Sequence, residues 1–200
     1  CGDAPPGCRW PWCPTSPPSP SRRSTGSSSA VAAGQFDQTP GQTELIRGRI
    51  VHMNPQGPEH ADPIDFLAEW SFHVTQHQLT VRVEKPIRLV DQHSCPEPDI
   101  AWVTRRRYHD RHPNGDEVKL LIEVSKSSNE FDRSEKMLLY ANAAIAEYWQ
   151  IDLAARVLTV FRGPIDGRYR FKKTYEGTQV VHPHDFPNAI LHVSDLFPPS

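Results

Sequence analysis

Residues 119–124 read Lys-Leu-Leu-Ile-Glu-Val, an almost continuous apolar run in a chain of 200 residues. Such a run is typical of a strand that is covered on both faces of a sheet. The one acid in it, Glu123, costs free energy inside a protein unless it is paired or bound to a cation. We therefore predict a central strand here, with a candidate functional carboxylate near its end.

A second strand is predicted upstream, at residues 98–103. Pro98 keeps the backbone extended and moves Glu97 away from helical geometry. Asp99 then lies at the start of the strand, where it is exposed enough to bind a cation. If the two strands are neighbours, the carboxylates of Asp99 and Glu123 point at one position in space.

Apolar periodicity and capping signals predict two helices beside these strands. One begins near Asp62 and Pro63, an N-cap followed by proline, and continues to about His77. The other begins at Asp132, with a capping-box acid at Glu135. A weaker helical signal covers residues 29–40.

The remaining strands are predicted from β-branched and aromatic runs bounded by turn residues. Two short strands share residues 43–53 with a turn at Gly48, and residues 81–90 form a strand that Pro86 places at an edge or bulge. Further strands cover 147–153, 156–162 and 168–175, and a short helical turn covers 193–197. This order predicts an α/β (α+β) fold, a mixed central sheet flanked by helices with a C-terminal β-hairpin.

The net charge of the chain is −2, so no overall field draws it to nucleic acid. A nucleic-acid surface would have to be a local patch, and the densest basic cluster contains residues 105–107 and Arg111. A solvated loop is the more usual interpretation of such a charge run. No apolar stretch approaches the length that spans a bilayer, so we expect no membrane association.

Residues 1–23 are rich in Pro, Ser, Cys and Arg and show no hydrophobic periodicity. We expect either a disordered tail or a misassigned start there, and favour the second, with one folded domain over residues 24–200. Cys1, Cys8 and Cys13 lack the spacing of a zinc site, and Cys95 stands alone. Since a secretory signal is also absent, we expect a reducing, cytoplasmic setting.

Asp99 and Glu123 are candidate ligands for Mg²⁺, a hard cation that takes oxygen donors and supports phosphodiester hydrolysis. The usual nuclease pattern has a lysine two residues after the second acid, where this chain has Ser125. Lys126 points to the other face of the strand, so we prefer Lys136 in the first turns of the next helix. Taken singly, each of these residues also has an interpretation without a function. Asp99 is then a turn residue, Glu123 is the partner of a buried arginine, and Lys136 is a solvated lysine on the helix. Their order and placement together favour a metal-dependent nuclease.

Nine short phrases support the same interpretation. They are Glu44-Leu-Ile-Arg-Gly, Pro86-Ile-Arg-Leu, Glu97-Pro-Asp-Ile-Ala, Leu121-Ile-Glu-Val-Ser, Phe131-Asp-Arg-Ser-Glu-Lys136, Leu139-Tyr-Ala, Glu147-Tyr-Trp, Ile151-Asp-Leu and Asp195-Leu-Phe-Pro. Through them the chain resembles the bacterial "putative restriction endonuclease" family, the Uma-type branch of the PD-(D/E)XK nuclease superfamily. The resemblance implies a restriction-endonuclease-like fold.

The resemblance also implies which residues form the active site. It carries the acidic residues of the family over to Glu44, Asp99 and Glu123, and the displaced lysine to Lys136. Glu69, on the predicted first helix, is the reserve for Glu44. Asp152 is interpreted either as a support of the site or as a residue of a strand-end turn.

Several histidines attract attention as metal ligands, namely His52, His60 and the pair His73 and His77. The pair is spaced i,i+4 on the predicted helix, but it lacks the glutamate of a zinc-peptidase motif. We therefore do not expect zinc.

The resemblance implies hydrolysis of DNA phosphodiester bonds by a Mg²⁺-dependent endonuclease, with a homodimer as the means of cutting both strands. A different class stays open, a catalytically weak nuclease fold that serves as a DNA-binding or mobile-element accessory protein. The near-neutral charge favours weak or partner-assisted binding, because affinity for DNA rests largely on phosphate contacts. A hydrolase with a substrate other than DNA is the third hypothesis.

Overall fold

A six-stranded mixed sheet forms the centre of the molecule in the computed structural model, which describes residues 43–52, 57–126 and 130–197. Its strands are β3 (Leu79–Val83), β4 (Ile100–Thr104), β5 (Val118–Ser125), β6 (Glu147–Asp152), β7 (Val157–Ile165) and β8 (Arg168–Glu176). They lie side by side in chain order, so β5 and β6 occupy the middle. These two run parallel, and the other neighbouring strands run antiparallel.

The continuous apolar run predicted the covered central strand correctly. On β5, Leu120 and Ile122 pack into one hydrophobic cluster with Leu67, whereas Leu121 belongs to a second cluster with Leu139. Alternate side chains of a strand point to opposite faces, so both faces of β5 are buried. Glu123 shares the face of Leu121.

The first helix, α1 (Pro58–Thr75), covers one face of the sheet. The expected start near Asp62 is wrong, because Gly57 is the N-cap and Pro58 is the proline of the first turn. Pro63 lies inside the helix, where it removes one hydrogen bond to the carbonyl of residue 59 and is itself buried. The helix ends at Thr75, so His77 lies beyond it and does not form a helical pair with His73.

The second helix, α2 (Glu130–Asn142), covers the opposite face and supplies the crossover between the parallel strands β5 and β6. It extends two residues further towards its N-terminus than the predicted start at Asp132. The side chain of Asp132, and with it the expected capping box, lies outside the described residues. Residues 29–40 and the tail 1–23 lie outside them as well.

The predicted strand 81–90 is shorter than expected. β3 ends at Val83, and the next residue, Glu84, has φ 47°. A left-handed backbone and the missing N–H of Pro86 both end strand pairing there. The edge position inferred from Pro86 is confirmed, since β3 is the first strand of the sheet.

A separate hairpin brings the N-terminal part of the domain to the sheet. Its strands are β1 (Thr43–Ile46) and β2 (Arg49–His52), and the turn has φ 48° at Arg47 and 75° at Gly48. Positive φ at both positions matches the right-handed twist of a two-residue hairpin. The Leu45 carbonyl accepts a hydrogen bond from Cys95 N at 2.7 Å, which fixes the hairpin beside the start of β4.

The C-terminal region closes the fold. A two-stranded ladder joins β9 (Val180–Val181) to β10 (Leu191–His192), and the predicted helical turn is confirmed as a 3₁₀ turn at Val193–Leu196. Leu191, Val193 and Leu196 are buried in the cluster that contains α1. Within the described part of the chain, no helix is long and apolar enough to cross a membrane.

Candidate active site

The register of β4 and β5 places Asp99 opposite Glu123. Ile100 pairs with Ile122 in this antiparallel ladder, so the next position outward joins residue 99 to residue 123. Asp99 Oδ2 accepts a hydrogen bond from Val124 N at 2.6 Å, which ties its carboxylate to the end of β5. The two carboxylates predicted from separate strands therefore lie together, on the face that α2 covers.

The helix α2 supplies the donors for Glu123. The Lys136 ammonium lies 3.2 Å from Glu123 Oε1 and 3.1 Å from Oε2, and the Tyr140 hydroxyl donates to Oε1 at 2.5 Å. Lys136 and Tyr140 are four residues apart, so they share one face of the helix. The preference for Lys136 over Lys126 agrees with this geometry, because the Lys126 ammonium pairs with the exposed Glu59 instead.

Glu44 reaches the same ammonium from the β1–β2 hairpin. Its Oε1 accepts from Lys136 Nζ at 3.1 Å and from the backbone N–H of Glu97 at 2.9 Å. Its Oε2 is buried and has no hydrogen-bond partner among the described residues. Glu44 is 1% exposed, so one oxygen of this carboxylate is held in the interior without a donor.

The electrostatics of the cluster follow from three carboxylates around one ammonium. Burial raises the pKa of Glu123 to about 7, and the charges of Asp99 and Glu44 add to the rise, against the opposing effects of Lys136 and Tyr140. Burial alone would lower the pKa of Lys136, but the neighbouring carboxylates outweigh it and raise that pKa above its ordinary value. The lysine is therefore cationic at any physiological pH.

Two further residues lie at this site, and one of them, His60, was named from the sequence only among the histidines considered as metal ligands. The other, Tyr140, entered the sequence analysis only within the phrase Leu139-Tyr-Ala, although its spacing from Lys136 is a signal for a shared site. His60, in the first turn of α1, has its Nε2 atom 3.7 Å from Asp99 Oδ1. The neighbouring Asp99 carboxylate raises the pKa of His60 despite the partial burial of the ring.

Other candidates lie elsewhere. Glu69 is exposed on α1, and no described contact joins it to the carboxylates. Asp152 accepts from Ala155 N at 3.0 Å and pairs with Arg133, which is the contact pattern of a strand-end turn residue. The side chain of His52 lies outside the described part of the chain.

The basic cluster predicted as the densest patch lies at the opposite end of β4 from Asp99. Five strand residues separate the two ends, a distance of about 17 Å. Arg106 pairs with Asp110 at 3.0 Å, and Arg111 pairs with Glu117 at 2.5 Å. The solvated-loop interpretation therefore fits this cluster better than a phosphate-binding surface at the site.

The donor set suits a hard divalent cation. Among the described residues, no three His, Cys, Asp or Glu side chains are placed so that they could hold one metal ion together. Mg²⁺ does not need three such ligands, because it usually keeps several waters and takes one or two carboxylates. Asp99 and Glu123 supply such carboxylates side by side, so these residues fit the ion.

A conservative change at Tyr140 tests how Glu123 is held. We expect Tyr140→Phe to weaken Mg²⁺ binding about tenfold, because outer partners of ligands orient them. Titration calorimetry measures the affinity, and Tyr148→Phe is the matched control. Tyr148 is also buried, and its ring packs against that of Tyr140 with centroids 5.1 Å apart. Equal affinities in the wild type and Tyr140→Phe would show that the hydroxyl does not position Glu123.

Comparison with known proteins gives two findings. The family model Uma2, described as "Putative restriction endonuclease", matches residues 33–194. A crystal structure of a putative nuclease belonging to DUF820 from Anabaena variabilis is similar with a TM-score of 0.66, at 18% sequence identity, over 82% of this chain and 95% of that chain. At this identity the likeness shows the fold, and it confirms the predicted nuclease-like mixed sheet. No curated protein matches the chain.

Proposed function

Because the chain belongs to the Uma2 family of putative restriction endonucleases, we propose that it is a Mg²⁺-dependent endonuclease that hydrolyses DNA phosphodiester bonds. The observation that supports this most strongly is the Lys136 ammonium, which projects from α2 onto the carboxylate of Glu123. The PD-(D/E)XK pattern has its lysine on the strand, two residues after the second acid, and this chain has Ser125 at that position. Here the helix α2 supplies the lysine instead. Asp99, at the start of the neighbouring strand β4, supplies the second carboxylate of the site.

Asp99 and Glu123 would hold the cation. When bound, Mg²⁺ supplies Lewis acidity at the phosphate and lowers the pKa of a coordinated water. The protein keeps these carboxylates in place through Val124 N–H for Asp99 and the Tyr140 hydroxyl for Glu123. Their orientation is thus set before substrate arrives, which is what preorganised electrostatic catalysis requires.

Lys136 is the candidate catalytic cation. Its ammonium stays protonated in the carboxylate cluster, so it donates hydrogen bonds and does not act as a base. We assign it to orienting the attacking water or to stabilising the negative charge that develops on the phosphate oxygens. Glu44 anchors this lysine from the β1–β2 hairpin.

DNA is the proposed partner, the cytoplasm the proposed location, and a homodimer the proposed way of cutting both strands. The second candidate is a catalytically weak accessory protein that binds DNA weakly or with the help of a partner. Lys126 pairs with Glu59 and Arg133 pairs with Asp152, so these basic side chains are already partly neutralised. Phosphate contacts dominate DNA affinity, so weak unaided binding is expected in either case.

A plasmid assay tests the proposal. We expect the wild type to nick or linearise supercoiled DNA with Mg²⁺ and to be inactive with EDTA. Glu123→Gln should lose at least about 100-fold in rate, as expected when a catalytic electrostatic group is removed. Glu69→Gln, which changes an exposed glutamate, is the control and should keep the wild-type rate. DNA binding by the wild type without Mg²⁺-dependent cleavage would favour the accessory protein instead.

A further inference from the structure

The Lys136 ammonium occupies the position where a cation would bind Glu123. It faces both carboxylate oxygens of Glu123 at 3.1–3.2 Å and one oxygen of Glu44 at 3.1 Å. An ammonium has three donors, and three acceptor oxygens surround this one. The carboxylates are present, yet the described residues form no open cage of three metal ligands.

We propose that Lys136 is the resident cation of the metal-free site, and that a divalent ion binds Asp99 and Glu123 only as the ammonium moves from Glu123 to Glu44. This inference rests on the proposed function and deepens it, because it states how the metal and the lysine share one cluster. A divalent ion and an ammonium on the same carboxylate would repel each other in a partly desolvated site. One of them therefore has to leave Glu123.

The carboxylate of Glu44 offers an alternative acceptor for the Lys136 ammonium. Glu44 Oε2 is buried and has no hydrogen-bond partner among the described residues, while Glu44 Oε1 already accepts from Lys136. A second free oxygen on the same carboxylate lets the ammonium exchange its contacts with Glu123 for one with Glu44. Lysine has a flexible four-carbon stem, so this change needs only side-chain rotation. Glu44 then serves as the counter-ion of the lysine and is not itself a metal ligand.

The exchange links two events that catalysis needs. Metal entry releases Lys136 from Glu123, and the released ammonium is then free to face the attacking water or the phosphate. Lys136 therefore takes up its catalytic position only when the divalent ion is bound. In the metal-free protein, the same lysine neutralises part of the buried carboxylate charge.

Titration calorimetry with Mg²⁺ tests the proposal, at about pH 8.5 so that protons do not compete for Glu123. We expect Lys136→Met to bind Mg²⁺ at least about tenfold more tightly than the wild type, since a competing charge is removed. Lys136→Arg keeps the charge and should bind no more tightly. Lys126→Met, the control for a general loss of positive charge, should match the wild type.

A double-mutant cycle separates the role of Glu44. Glu44→Gln should weaken Mg²⁺ binding about tenfold when Lys136 is present, and should have little effect in the Lys136→Met background. Weakening in both backgrounds would make Glu44 a metal ligand and would overturn the proposal.

A second measurement uses the wild type alone, in case Lys136→Met does not fold. The ¹H–¹⁵N signal of the Lys136 ammonium should shift as Mg²⁺ saturates the site, and an unchanged signal would overturn the proposal. Mg²⁺ binding by the wild type with no gain in Lys136→Met would overturn this inference and leave the proposed function standing. Absence of binding in both proteins would overturn both.

Discussion

Lys136→Met is expected to cut supercoiled plasmid at least about 100-fold more slowly than the wild type in single-turnover assays with Mg²⁺. The physical reason is the loss of a buried cation that lies 3.1–3.2 Å from both oxygens of Glu123. Methionine keeps a similar length and volume, so the change removes the charge and its donors with little repacking. The loss should appear in the rate of cleavage, even though Mg²⁺ should bind this variant more tightly than the wild type.

Stability has to be checked in the same variant. Removing one partner of a buried ion pair costs about 3–5 kcal/mol, because the remaining charge is left without compensation. Urea unfolding with and without Mg²⁺ shows whether the assayed protein is folded. Lys126→Met is the matched control, since Lys126 forms only an exposed pair with Glu59. A folded Lys136→Met protein that cuts at the wild-type rate would remove Lys136 from the mechanism.

Asp99→Asn should also reduce cleavage at least about 100-fold, through the loss of the charge that holds the cation. Asparagine keeps a side-chain oxygen that can accept from Val124 N–H, a hydrogen bond of 2.6 Å in the wild type. The free energy of unfolding should therefore change by less than about 1 kcal/mol. Plasmid cleavage and urea unfolding on the same preparation measure the two effects.

Asp99→Ala separates charge from structure. It removes the acceptor as well, and the Val124 N–H is buried, so an unsatisfied donor should cost about 1–3 kcal/mol of stability. We expect both variants to be equally inactive and only the alanine variant to be less stable. Wild-type cleavage by Asp99→Asn would show that this carboxylate does not hold the cation.

The central sheet was predictable because its strands carry strong local signals. The apolar run around Ile122 and the proline before Asp99 each define an element without reference to the rest of the chain. Boundaries were less predictable where two local signals compete. Pro58 and Pro63 both suit the start of a helix, and the structure begins the helix at Pro58 with Pro63 buried inside it.

The site was predictable to the extent that the sheet register determines it. Asp99 and Glu123 meet because β4 and β5 are neighbours, and Lys136 follows because α2 begins just after β5. Glu44 comes from a hairpin that is far away in sequence, so only the family resemblance indicated it. His60 stood out only as one of several possible metal-binding histidines, since its approach to Asp99 depends on how α1 lies on the sheet.

The most direct test of the account is the position of a bound cation. Crystals of the wild type grown with Mn²⁺ and measured at the manganese absorption edge give that position from anomalous scattering. The account predicts a peak between the carboxylates of Asp99 and Glu123, with the Lys136 ammonium on Glu44. No peak at these carboxylates under saturating Mn²⁺, with Lys136 still on Glu123, would contradict it.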